Sequence, residues 1–171
     1  MAGERTTKIN GVDFAVIGTE IRVGQKAPEF TGSAPDWSRV QALESSKGMV
    51  RVLAAAPSLE TSVCDRETRR FNVEAANLSS DVRIFVISAD LPYTQKRWCG
   101  AAGVDRVVTL SDNMEAEFGT KYGCLIKARR ILSRAVFVVG RDDKVVYAAY
   151  MPALGDEPDY EAVLAAARSA L

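Results

Sequence analysis

Cysteine is the residue type in this chain best suited to nucleophilic chemistry. Cysteines occupy positions 64, 99 and 124 of the 171 residues, and histidine is absent. Without imidazole the chain has no Ser-His or Cys-His pair and no histidine ligand for a metal. Three cysteines without a C-x-x-C motif also do not make a fully paired disulfide framework or the usual tetrahedral zinc cluster. Any acid/base or nucleophilic chemistry must therefore come from other groups, which leaves cysteine prominent.

Cys64 lies at the end of PSLETSVC (residues 57–64), where a buried strand should pass into a helix. The apolar residues 49–55 predict the strand, and the apolar positions after Cys64 repeat with helical spacing at Thr68, Phe71, Ala75 and Leu78. Cys64 should thus lie in the first helical turn, where free N–H groups and the helix dipole favour a thiolate. The alternative interpretation is that Cys64 is an unreactive, buried thiol that packs like a small apolar side chain.

Thr61 and Pro57 precede Cys64 at fixed offsets. A hydroxyl at position 61 can both donate and accept beside the sulfur, which suits a substrate with adjacent oxygens. Thr61 can equally serve as the helix N-cap, and the two roles are compatible. Pro57 has a rigid ring and no N–H donor, so it would fix the loop and shelter the sulfur.

Other patterns place the remaining elements. Asn10-Gly11 predicts a hairpin, and a second strand pair is expected through residues 14–17 and 20–23. Residues 24–36 are expected to be irregular. Residues 82–88 predict a strand parallel to the first, followed by a short helix from Pro92 to Gly100 that carries Cys99.

The C-terminal half continues as alternating strands and helices. Residues 107–111 predict a strand, and Asp112 with Glu115 resembles a capping box for a helix holding Phe118 and Tyr122. RAVFVVG and KVVYAAY predict an antiparallel hairpin, and a closing helix begins near residues 156–158. This order predicts an α/β, thioredoxin-like fold with a central mixed sheet flanked by helices and an N-terminal β-hairpin extension. A single domain over residues 1–171 is expected.

Composition excludes some partners. Lys and Arg equal Asp and Glu at 22 each, so a broad electrostatic attraction to nucleic acid or an anionic membrane is not expected. No apolar stretch approaches the ~18 residues of a membrane span, and MAGERTTKING lacks the apolar region of a secretory signal. The expectation is a cytoplasmic protein.

The spacing Pro57-x-x-x-Thr61-x-x-Cys64 resembles the signature of the peroxiredoxins. The wider text is similar to one branch of that family, the bacterial thiol peroxidases, which work as atypical two-cysteine peroxiredoxins. The similar segments keep the same order along the chain: PSLETSVCDRETRRFN, SADLPYTQKRWCGAAGV, VVTLSD, SRAVFVVG and EPDYEAVLAA. The resemblance covers most of the chain.

The resemblance implies a role for five residues. Cys64 would be the peroxidatic cysteine, which attacks the peroxide and becomes sulfenic acid. Thr61 and Pro57 would position the peroxide and shield the sulfur, and Arg134 would stabilise the thiolate. Cys99 would be the resolving cysteine, forming an intramolecular disulfide with Cys64.

The family also implies the partners. Thioredoxin would reduce the disulfide, the substrates would be hydrogen peroxide and organic hydroperoxides, and neither a metal nor an organic cofactor is required. A homodimer is expected. Because the two cysteines lie in different helices, we expect both segments to unwind locally before they join.

Several residues depart from the family pattern or have no role in it. Asp65 and Glu67 replace smaller, uncharged residues, and their negative charge should partly oppose the thiolate. Cys124 matches no family role and is expected to be structural. A basic cluster is expected to be a solvated face: Lys127, Arg129 and Arg130.

Two other functions compete with a thioredoxin-dependent peroxidase. A non-enzymatic redox sensor would use the same Cys64–Cys99 disulfide without turnover, and the sequence does not separate the two. A general dithiol oxidoreductase needs the C-x-x-C motif, which this chain lacks.

Overall fold

The computed structural model describes residues 4–171. Its strands, in chain order, are β1 (Arg5–Ile9), β2 (Val12–Ile17), β3 (Thr31–Ser33), β4 (Arg39–Gln41), β5 (Val50–Ala55), β6 (Val82–Ser88), β7 (Val108–Ser111), β8 (Leu125–Ile126), β9 (Ile131–Leu132), β10 (Ala135–Val139) and β11 (Val145–Tyr150). The helices are α1 (Ala42–Ser45), α2 (Ser62–Ala75), α3 (Pro92–Ala102), α4 (Glu117–Lys121) and α5 (Tyr160–Ser169).

The main sheet has the strand order β11-β10-β5-β6-β7-β3-β4. Strands β5, β6 and β7 are parallel, with α2 and α3 as the two crossovers, whereas the outer strands pair antiparallel. A smaller sheet, β1-β2-β8-β9, contains the N-terminal hairpin. The predicted α/β thioredoxin-like fold, with its mixed sheet and N-terminal hairpin, is confirmed.

Two apolar layers cover the faces of the main sheet, and β5 contributes to both because successive side chains point to opposite faces. Leu53 and Ala55 belong to one layer, with Phe30, Phe118 and Tyr122. Val52 and Ala54 belong to the other. That second layer includes Cys64 and Phe71 from α2, Trp98 from α3 and Val163 from α5. Burial on both faces explains the continuous apolar run of β5.

The expected second strand pair at the N-terminus is wrong for residues 20–23, which form no strand. The chain turns at Gly18, where a Cβ would lie 2.3 Å from the carbonyl oxygen of Thr120. Ile21 is then buried, and its N–H donates to the hydroxyl of Tyr150 (2.8 Å). One buried side chain and one hydrogen bond thus anchor this segment in place of strand pairing.

Three local predictions also need correction. Residues 24–36 are not wholly irregular, because β3 lies among them. Helix α3 continues past Gly100 to Ala102 and ends at Gly103, whose left-handed backbone (φ 66°) caps it. Asp112 does cap α4, but its carboxylate accepts from the N–H groups of Phe118 and Gly119, and Glu115 pairs with Arg39.

The basic cluster lies in the exposed turn between β8 and β9, as expected of a solvated face. Among residues 4–171, no helix has the length and apolar character needed to cross a membrane.

Candidate active site

Cys64 lies in the first turn of α2, as the apolar spacing predicts. Thr61 is the N-cap: its backbone is extended (φ −81°, ψ 145°), and its Oγ1 accepts from the Cys64 N–H at 3.3 Å. The Thr61 hydroxyl in turn donates to the carbonyl oxygen of Ser58 at 3.1 Å. These bonds fix the loop between β5 and α2. They also hold Cys64 in the first turn of α2, where the helix dipole favours an anion.

Arg134 directly precedes β10, the strand next to β5, and its side chain contacts the sulfur of Cys64. Strands β10 and β5 pair antiparallel with Ala135 opposite Ala55, so Arg134 lies beside the start of the loop that leads to Cys64. Its Nη2 donates to Cys64 Sγ at 3.2 Å, and both its Nε and Nη2 donate to the carbonyl oxygen of Leu154, at 3.2 and 3.0 Å. A buried cation therefore touches the one sulfur that the helix end also favours as an anion.

The guanidinium of Arg134 contacts the carboxyl group of Glu67 as well as the sulfur of Cys64. It follows Cys64 by three positions, so the two side chains share a face of α2. Its Oε2 accepts from Arg134 Nη1, and its side chain is almost completely buried. The other carboxylate oxygen, Oε1, is buried without a hydrogen-bond partner among the residues that the structure describes.

The pKa values of this pair follow from burial and mutual attraction. Burial raises the pKa of Glu67 to about 7, against the opposing charge of Arg134. Burial alone would lower the pKa of Arg134, but the negative charges of Glu67 and Cys64 outweigh it and raise that pKa. Arg134 therefore stays a cation. Glu67 is the member of the pair that titrates near neutral pH.

Two acids, Asp65 and Glu67, were expected to oppose a thiolate at Cys64. Of the two, Glu67 shares the contact with Arg134. The Asp65 carboxylate faces outwards and accepts from Arg69 Nε at 2.9 Å, one helical turn further on. Arg69 also donates to the carbonyl oxygen of Ala102 and lies over the ring of Trp98, which links α2 to α3. Asp65 thus belongs to a surface ion pair between these helices.

Pro57 is buried at the start of the loop, whereas Thr61 is exposed. The Cys64 side chain is fully covered. A peroxide can therefore contact the sulfur only after a movement of the loop or of neighbouring side chains. Thr61 is the exposed member of the motif, and its hydroxyl bonds the backbone N–H of Cys64.

Cys99 lies in α3, half-buried against β7, with its Sγ 3.8 Å from Thr109 Oγ1. Burial raises the pKa of the Cys99 thiol, while the Thr109 hydroxyl opposes that rise. Cys99 packs against the same apolar layer that contains Cys64. Both are free thiols in this structure.

Cys124 is separate from this group. It is buried on the opposite face of the main sheet, and its Sγ donates to the carbonyl oxygen of Tyr122 at 3.3 Å. Burial raises its pKa far above that of a free thiol. An inert, structural thiol fits this environment.

Two features of the site were not foreseen in the sequence. The contact of Glu67 with Arg134 had a signal, the helical spacing of Glu67 from Cys64, but its partner came from a distant strand. The bond from Arg134 to the Leu154 carbonyl oxygen had no signal in the sequence, because every residue type has a backbone carbonyl. Within residues 4–171 there is no group of three or more His, Cys, Asp or Glu side chains placed to hold a metal ion.

Known proteins are similar to this chain in sequence and in structure. Residues 22–164 match the Redoxin family. A thiol peroxidase from Oceanobacillus iheyensis is 53% identical over 149 residues, covering 87% of this chain and 90% of the relative. One from Bacillus subtilis is 45% identical over 159 residues, covering 93% and 94%.

Solved structures show the same architecture. A peroxiredoxin-like protein from Aquifex aeolicus superposes with a TM-score of 0.89 at 34% identity, covering 98% of each chain. The thiol peroxidase from Chromobacterium violaceum has a TM-score of 0.83 at 22% identity, covering 96% of this chain and 95% of that one, and shows the shared fold.

The chain belongs to the Redoxin family. Within that family its relatives are thiol peroxidases, so it has the activity of a peroxiredoxin-type enzyme, and its substrate is a peroxide.

Proposed function

We propose that Cys64 is the peroxidatic cysteine of this thiol peroxidase. The Cys64 thiolate attacks one oxygen of a hydroperoxide, an S–O bond forms and the O–O bond breaks. Cys64 becomes sulfenic acid, and the leaving alkoxide or hydroxide takes up a proton as alcohol or water. The observation that carries this proposal is the 3.2 Å contact of Arg134 Nη2 with Sγ at the amino end of α2.

Arg134, Thr61 and Pro57 have supporting roles. Arg134 stabilises the thiolate and then the negative charge that develops on the leaving oxygen. The hydroxyl of the exposed Thr61, which accepts from the Cys64 N–H, binds the peroxide oxygens. Pro57 holds the buried start of the loop without an N–H that would need a partner.

Cys99 is proposed as the resolving cysteine. Its sulfur attacks the Cys64 sulfenic acid, a disulfide forms, and water leaves. Cys64 and Cys99 lie in separate helices, and a disulfide needs Cα atoms within about 7 Å. The first turn of α2 and the helix α3 therefore unwind locally to let the sulfurs meet.

Thioredoxin is the proposed reductant. A dithiol of that class passes two electrons to the Cys64–Cys99 disulfide, becomes a disulfide itself and returns both thiols of the enzyme. The free thiols of this cycle suit a reducing compartment such as the cytoplasm.

A homodimer is proposed through an exposed aromatic patch near α3. The rings of Trp37 and Tyr93 lie 5.3 Å apart and both are exposed, and Leu91, just before α3, is exposed beside Tyr93. Clustered large apolar side chains on a surface favour a protein contact. A second copy of the chain would cover them close to the helix that carries Cys99.

The coupled peroxidase assay tests the function. NADPH consumption with thioredoxin and its reductase should be catalytic with hydrogen peroxide and with a bulky organic hydroperoxide. Cys64→Ser should abolish it, and the matched Cys124→Ser should retain it. Equal turnover in Cys64→Ser would overturn the assignment. A single stoichiometric oxidation of the wild type would instead support the redox sensor.

A further inference from the structure

Asp90 joins the loop before Cys64 to the chain segment that leads into α3. It lies between β6 and α3 and is partly buried. Its Oδ1 accepts from the Ser58 hydroxyl at 2.7 Å, and its Oδ2 accepts from the Leu59 N–H at 2.8 Å. Ser58 and Leu59 belong to the loop between β5 and α2. The Asp90 carboxylate, which lies outside that loop, therefore holds it in place.

The hydrogen bonds continue from Asp90 into α3. The Ser88 hydroxyl donates to Asp90 Oδ2 at 2.8 Å and accepts from Gln95 Nε2 at 3.0 Å. Gln95 is fully buried, also donates to the carbonyl oxygen of Leu110, and lies one helical turn before Cys99. Because a carboxylate only accepts, the hydroxyls of Ser58 and Ser88 both act as donors to Asp90.

An ion pair on the surface also connects the loop before Cys64 to α3. Glu60 in the loop pairs with Arg97 in α3, two positions before Cys99. Both side chains are well exposed, so this ion pair adds little compared with the partly buried bonds to Asp90. The Cys64 loop and the Cys99 helix are thus connected twice, with Asp90 as the stronger connection.

We propose that Asp90 is a positioning residue that couples the opening of residues 57–64 to the opening of α3. In the reduced enzyme it holds both segments in the folded arrangement around Cys64. When its bonds to Ser58 and Leu59 break, its support of Ser88 and Gln95 weakens as well, so the two cysteine-bearing segments open together. The consequence for disulfide formation rests on the proposed pairing of Cys64 with Cys99.

Amide hydrogen exchange of the reduced protein tests the coupling without any redox step. Ser58→Ala removes the bond to Asp90 and a local bond from the Glu60 N–H, both on the loop side, which should raise the open population about tenfold. Exchange should therefore accelerate about tenfold not only in residues 57–64 but also in residues 92–99. Ser79→Ala is the matched control, because Ser79 is exposed and its hydroxyl bonds only locally, to the Asp81 N–H.

Variants of Asp90 separate the bonds from the fold. Asp90→Ala should accelerate exchange in both segments by more than Ser58→Ala does. Asp90→Asn should lie closer to the wild type, because its oxygen can accept from Leu59 and Ser88 while its amide donates to the Ser58 hydroxyl. In a single turnover with peroxide, Ser58→Ala should also form the Cys64–Cys99 disulfide faster, by about the same factor as its exchange.

The outcomes are distinct. Faster exchange in Ser58→Ala confined to residues 57–64, or no change in either segment, would overturn the coupling. Faster exchange in both segments with an unchanged rate of disulfide formation would also overturn the role of Asp90 in the reaction. Failure of the wild type to form the disulfide contradicts the proposed pairing of Cys64 with Cys99, while the exchange data still decide the coupling.

Discussion

Arg134 Nη2 lies 3.2 Å from Cys64 Sγ while Nη1 of the same guanidinium bonds the buried carboxyl group of Glu67. One cation therefore serves two acids in a region closed to water. The planar guanidinium allows this, because its two terminal nitrogens donate in different directions. The same guanidinium therefore contacts both the Glu67 carboxyl group and the Cys64 sulfur.

Arg134→Lys should lower the rate constant for peroxide reduction by about 100-fold, the usual cost of losing one well-placed donor to a developing negative charge. A lysine keeps a charge for Glu67 but is a point donor that cannot contact both acids. Stopped-flow measurement of the peroxide reaction checks this. Arg141→Lys, in an exposed pair with Asp81, is the control and should react at the wild-type rate.

Glu67 should make stability fall as the pH rises. Burial raises the pKa of Glu67 to about 7 in the folded chain, whereas an ordinary glutamate has a pKa of about 4.3. The folded state thus binds a proton that the unfolded state has lost, and this stabilisation is present below the unfolded pKa and lost as the pH rises through 7. Between pH 5 and pH 8, Glu67→Gln should gain about 3 kcal/mol relative to the wild type.

Urea unfolding of both proteins over that pH range measures this difference. Glu20→Gln, at an exposed glutamate, is the matched control for the loss of a carboxyl group. A difference between Glu67→Gln and the wild type that does not change with pH would mean that Glu67 is already ionised throughout this range.

Thr61→Val should cost about 1 kcal/mol in the free energy of unfolding, because it removes the side-chain cap of α2. It should also slow the reaction with peroxide, since the hydroxyl beside Cys64 is lost. Thr61→Ser keeps that hydroxyl and should restore most of both properties. If Thr61→Val lost stability but reacted at the wild-type rate, Thr61 would be a cap alone.

Cys124→Ala should leave peroxidase activity intact and destabilise the fold by about 1–2 kcal/mol through the small cavity left by the buried sulfur. The paired measurements are the coupled assay and denaturant unfolding. Loss of activity in a folded Cys124→Ala protein would assign this thiol a part in the reaction.

Local patterns in the sequence predicted much of the framework because they report on local structure. The position of Cys64 in the first turn of α2 followed from apolar spacing, and the β1–β2 hairpin from Asn10-Gly11. The parallel pairing of β5 with β6 followed from the helical crossover between them, because a crossover of that length joins parallel strands. These features need no knowledge of distant contacts.

Features that depend on distant contacts were missed or misplaced. Residues 20–23 have the composition of a strand, but a hydrogen bond to Tyr150 holds them in an irregular segment. The contacts of Arg134 with Glu67 and Leu154 required the register of β10 against β5, which no local pattern supplies. The same limit applies to Asp90, because its partners Ser58 and Leu59 lie about 30 residues away in the loop before α2.

The central claim is that the reactive thiolate of this enzyme is Cys64, at the amino end of α2 and in contact with Arg134. The ultraviolet absorbance of a thiolate tests this claim directly. Burial raises the pKa values of both Cys99 and Cys124, so neither should contribute at pH 7. The reduced wild type should show close to one thiolate per chain at pH 7, and Cys64→Ser should show none. Absence of that absorbance from the wild type at pH 7 would contradict the account.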